Sequence, residues 1–257
     1  METTDPAVQA QHDRRRLQRA LNASLVLVVA LLACFVFQQS QDWRALAVAP
    51  QTLPGLLGIM TSPLLHGSLK HLAANATAIL ILGTLAGSVY PRATLRALPL
   101  LWLGGGIGAW LLGSPGSHHL GASGFTHGLM FLVLGLGLQR RDRPAIAAGL
   151  IGLLFYGSML VTVLPLEAGV SWQSHLGGAI AGLVAAALLR HADPPLPRKR
   201  YSWEDEDELP ADPALDESLE RRAHEDVPVL WQRPVHDEQR GRVIAFPPRQ
   251  QQPPPDP

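Results

Sequence analysis

The sequence predicts an all-α polytopic membrane protein: six transmembrane helices followed by a charged C-terminal tail with no core of its own. Three observations predict it. Six apolar runs reach the length of about 17–25 residues that a helix needs to cross a bilayer. After Arg190 the composition changes abruptly, from apolar and small residues to charge and proline. Arginine and lysine also gather on one side of the alternating runs, as a chain threading back and forth demands.

Of the 257 residues, 47% are hydrophobic and 16% charged, with zero formal net charge. That balance excludes a nucleic-acid binder, which carries a basic excess. Residues 1–19 form a basic segment containing Arg14, Arg15, Arg16 and Arg19. The first run, roughly 20–38, is longer than the about 7–15 residues of a signal-peptide core, and "AVA" at 47–49 lies too far beyond it for cleavage. It reads as a retained helix. "LLAC" ends at Cys34 as a lipoprotein signal would, but Phe35-Val36-Phe37 carries the run onward. The other runs fall at roughly 69–89, 94–113, 122–138, 144–164 and 172–190. From residue 191 to 257, stretches such as "WEDEDELP" and "QQPPPDP" cannot bury enough surface to offset their ordering entropy, so this tail reads as disordered. Cys34 is the sole cysteine, so no intramolecular disulfide forms. The expected organisation is a cytoplasmic segment 1–19, a membrane domain 20–190 and a cytoplasmic tail 191–257.

Orientation follows from charge. With the N-terminus inside, thirteen basic residues between Arg14 and Arg200 face the cytoplasm, against Arg44 and Lys70 outside. The second, fourth and sixth spans then run inward from the outer surface. Their polar residues lie in their opening turns: His71 and Asn75, Ser123, and His175. Polar groups within a span are expensive and mark function, and these converge on one depth from three helices. His71 and Asn75, four apart, share a helix face.

Those residue types support acyl transfer. A serine hydroxyl becomes a useful nucleophile when a base takes its proton, and histidine is the usual base near neutral pH. His71, Asn75 and the Ser123 N–H are available as donors to a tetrahedral oxyanion. No carboxylate lies within the outer half of a span, since Glu167 belongs to an outer loop and Asp142 to the inner side. The pairing that the topology permits is a Ser–His dyad. Gly121 and Gly124 flank the serine and allow an unusual turn. Gly178 and Gly182 follow His175 on its helix face, where small residues let helices approach closely. The histidines His66, His71, His118, His119, His127 and His175 raise the question of a metal, but neither HExxH nor a carboxylate–histidine set accompanies them. No metal and no cofactor is expected.

With "HGSLKHLAAN" in the second span, "GASG" heading the fourth and "SHLGGAIAG" in the sixth, the chain resembles the rhomboid intramembrane serine proteases over its six-span core of about 170 residues. The resemblance implies that Ser123 is the nucleophile, His175 the general base, and His71, Asn75 and the Ser123 N–H the oxyanion hole. It makes His66 a structural histidine of the first loop, and Gly178 and Gly182 packing glycines. It implies transmembrane protein substrates, cut near the outer ends of their spans, and a setting among lipids in a bacterial plasma membrane. Two positions depart from the family pattern. Leu57-Gly58 stands where many members have Trp-Arg, and His127 stands where many bacterial members have a tyrosine stacked on the catalytic imidazole. The alternative is a catalytically silent rhomboid-like protein that binds transmembrane clients; loss of the serine or histidine would mark one, and neither is lost. A transporter would place polar groups at the midplane or show an inverted repeat, and the sequence has neither.

Overall fold

The basic N-terminal segment and the first apolar run form a single helix, α1, Pro6–Gln38. Ala20, Ser24, Val28 and Leu31 make a buried stripe along it at helical spacing. Val26, Val29, Val36 and Phe37 are largely exposed on its other faces. An apolar surface of this kind is stable in contact with lipid and not with water. The computed structural model describes residues 6–40, 42–141, 143–167 and 169–194. The tail expected from 191 onward lies outside the described residues, apart from 191–194.

A long first loop follows, containing a short helix α2, Gly55–Thr61, and a 3-10 turn, Ser62–Leu64. The second predicted span is one continuous rod, Leu69–Val89. It comprises α3, Leu69–Ala78, a π-helical turn, Ile79–Gly83, and α4, Thr84–Val89. Ser68 caps its start by accepting the His71 N–H at 3.1 Å. The third span is α5, Pro91–Leu112. Proline at its first position suits a helix start, and Asp193 accepts the Arg92 and Ala93 N–H groups at 2.9 Å each. A carboxylate from beyond the last span thus caps the third. At the remaining predicted spans lie the helices α6, Ser123–Arg140, α7, Arg143–Tyr156, and α8, Trp172–Leu189. A 3-10 turn, Gly157–Leu160, extends α7.

Helices therefore form at all six apolar runs, though α1 begins well before residue 20. Four of them are long and apolar enough to cross a membrane: Val8–Gln38, Leu69–Val89, Pro91–Leu112 and Trp172–Leu189. Helix α6 falls short of that hydropathy for a physical reason. Gly124 to Met130 is an unbroken buried stretch that includes Thr126 and His127. It is surrounded by protein, so it needs no lipid-facing apolar side chains. Leu129, Leu132 and Leu136 of α6 meet Leu72, Ile79, Leu82 and Leu101 in the core around it.

Candidate active site

Ser123 is the first residue of α6, and a sharp turn delivers it. Gly121 has φ +114°, a conformation that a side chain resists, and a Cβ there would strike the His71 ring. The turn is tied to the first loop at two points. The Gly121 N–H donates to Ser62 O at 2.9 Å, and the Ala122 N–H donates to His66 Nε2 at 3.5 Å. His66 is itself clamped by Gln38, the last residue of α1, which accepts the His66 N–H at 3.1 Å and donates to the His66 carbonyl. Burial, and secondarily the neighbouring His71, push the His66 pKa down to about 4. The neutral ring is the form that can accept from Ala122. His66 and His71 also meet edge to face, with centroids 5.1 Å apart.

His175 is the fourth residue of α8, whose start is capped by the Ser171 hydroxyl. Close packing brings this helix against α6. A Cβ on Gly178 would strike the Gly124 carbonyl oxygen, and one on Gly182 would strike that of Gly128. The His175 ring stacks on His127, with centroids 3.9 Å apart and planes 16° from parallel. His175 Nδ1 lies 3.0 Å from Thr162 O. A carbonyl only accepts, so in the neutral ring Nδ1 carries the hydrogen and the Nε2 lone pair is left free. His127 Nδ1 lies 2.7 Å from Ser123 O, and its Nε2 2.9 Å from Thr162 Oγ1.

Asn75 sits one turn below His71 on α3 and is 4% exposed. Its Nδ2 is buried without a hydrogen-bond partner. A cavity of about 970 Å³ brings Ser123, His175, His71, Asn75 and His127 onto one surface. Ser123 and His175 share that cavity without a hydrogen bond between them, a looseness common in unliganded sites. As the first residue of its helix, Ser123 has an N–H with no intrahelical partner.

Two contributors carry little signal in the sequence. Gln38 ends an apolar run, and Thr162 interrupts "MLVTVL", so each is a polar residue in apolar company. Gln38 acts through its side-chain amide on the His66 peptide groups, and Thr162 through both its carbonyl and its hydroxyl, pairings that no local motif announces. His119, weighed above as a metal ligand, has both ring nitrogens engaged with serines: Nδ1 with Ser171 Oγ at 2.6 Å and Nε2 with Ser117 Oγ at 2.9 Å. Its backbone pairs in both directions with Val48 at 2.9 Å. It is a clasp between the first loop, the third loop and the start of α8.

A family model for the rhomboid domain matches residues 54–192, which hold every side chain of this cavity. An uncharacterized protein of Mycobacterium tuberculosis is 40% identical over 150 residues, covering 55% of this chain and 62% of the relative. An uncharacterized protein of Mycobacterium leprae is 39% identical over 143 residues, covering 52% of this chain and 56% of the relative. The chain thus spans about three fifths of the length of these relatives.

Proposed function

Since the chain belongs to the rhomboid family, and is a multi-pass membrane protein, we propose that it is an intramembrane serine endopeptidase that cuts transmembrane protein clients near the outer ends of their spans. Ser123 Oγ attacks the scissile carbonyl while His175 Nε2 takes its proton. The oxyanion that forms is held by the Ser123 N–H, His71 and Asn75. His175 then returns the proton to the leaving amine, and water, activated in the same way, hydrolyses the acyl-enzyme. The cavity of about 970 Å³ supplies the room that water needs below the membrane surface. The chain lies in a bacterial plasma membrane, six spans deep, with both termini cytoplasmic.

The observation that carries this reading is the orphaned Nδ2 of Asn75. A buried donor left unpaired costs about 1–3 kcal/mol, so native proteins rarely keep one without use. It lines the same cavity as Ser123 and His175, where an oxyanion would be its missing partner. The test is labelling of the purified protein with a serine-reactive fluorophosphonate, beside Ser123→Ala and His175→Ala. Labelling of the wild type alone supports the protease. A folded wild type that stays unlabelled, while an active rhomboid labels in parallel, refutes it in favour of a silent client-binding protein.

A further inference from the structure

We propose that Thr162 is the positioning residue of the dyad, its carbonyl and its hydroxyl acting on two different rings to hold His175 ready for Ser123. The proposal rests on the reading of Ser123 and His175 as nucleophile and base. A base must present the right nitrogen in the right direction, and a dyad has no carboxylate to enforce this. Stacking on His127 fixes the plane of the His175 ring but not which way round it faces, because a half-turn about χ2 keeps the same plane. The bond from His175 Nδ1–H to Thr162 O, at 3.0 Å, removes that freedom and sets the tautomer.

The stacking partner needs fixing in turn, and Thr162 does this as well. His127 Nδ1–H donates to Ser123 O, so the Nε2 of the neutral ring is an acceptor. The Thr162 hydroxyl, 2.9 Å away, is the donor that it meets. Met159 O, 3.2 Å from the same hydroxyl, is the competing acceptor. The result is a chain of contacts, Ser123 main chain, His127, Thr162 and His175, whose far end shares one cavity with Ser123. Thr162 belongs to neither α6 nor α8 but to the turn after α7. The base is therefore in register only while that turn is docked.

The experiment uses the full chain in detergent micelles, labelled with 15N-histidine, as wild type, Thr162→Val and Thr162→Ser. Valine keeps the shape and the carbonyl but removes the hydroxyl; serine restores it. Long-range proton–nitrogen spectra should show His127 and His175 as Nδ1–H tautomers. Thr162→Val should shift His127 Nε2 and slow fluorophosphonate labelling of Ser123 on the order of tenfold, and Thr162→Ser should recover both. An Nε2–H tautomer at His175 overturns the proposal, and needs no variant to detect. So does a Thr162→Val protein whose His127 signal and labelling rate match the wild type. If the wild type shows the expected tautomers yet Ser123 never labels, the network stands and the protease reading falls.

Discussion

The imidazoles of His127 and His175 lie face to face, centroids 3.9 Å apart and planes 16° from parallel, although they come from different helices. His127 is also hydrogen-bonded at both nitrogens, to Ser123 O and Thr162 Oγ1. A phenylalanine could stack but make neither bond. His127→Phe should therefore slow Ser123 labelling on the order of tenfold, and His127→Ala, which loses the stack too, should slow it further. Equal rates for Phe and wild type would reduce His127 to a packing residue.

Asn75 separates activity from stability. Removing one oxyanion donor costs about 10²–10³ in rate. The buried Nδ2 lost with the Asn75 side chain has no hydrogen-bond partner, so its removal costs the fold little. Asn75→Ala should slow labelling on that scale and leave the thermal midpoint unchanged or raised. A large drop in midpoint would mean that the amide has a structural task instead.

The site's side chains were legible because their types are improbable in a span. His71, Asn75, Ser123 and His175 stand out against leucine and alanine, and all four line one cavity. Their supports were not legible. Ser62 acts through its carbonyl oxygen, and so in part does Thr162, and a carbonyl carries no residue-specific mark. Nor is the length of α1 readable from hydropathy, because the stretch from Pro6 to Arg19 is polar and still helical. Leu57-Gly58, out of line with the family's Trp-Arg, proves to lie within α2. There Gly58 packs against the Ala47 and Val48 backbone so closely that a Cβ would collide with it. The first loop closes on its own main chain at that point.

The α6–α8 contact sets the distance between Ser123 and His175. Gly178 faces the Gly124 carbonyl, one residue beyond Ser123, with no room for a methyl group. Overpacking of this kind costs about 1–3 kcal/mol, and here any relief must push His175 away from Ser123. Gly178→Ala should lower the thermal midpoint and remove most labelling together. A variant that keeps wild-type labelling would show that the helices can part without consequence.

His66 gives the fold a pH dependence whose sign can be worked out. Its pKa falls from 6.5 to about 4, chiefly through burial. In that window the unfolded chain binds a proton that the folded chain refuses, so the unfolded state gains as pH falls. The stability linked to this group is complete above pH 6.5 and is lost progressively down to about pH 4. Protonation would also fill Nε2, the acceptor of the Ala122 N–H, and so loosen the turn that carries Ser123. His66→Gln offers an oxygen to Ala122 without titrating. Thermal midpoints in detergent at about pH 7.5 and about pH 5 should differ more for the wild type than for His66→Gln. The same difference in both proteins would assign the acid sensitivity to another group and leave His66 as a simple tether.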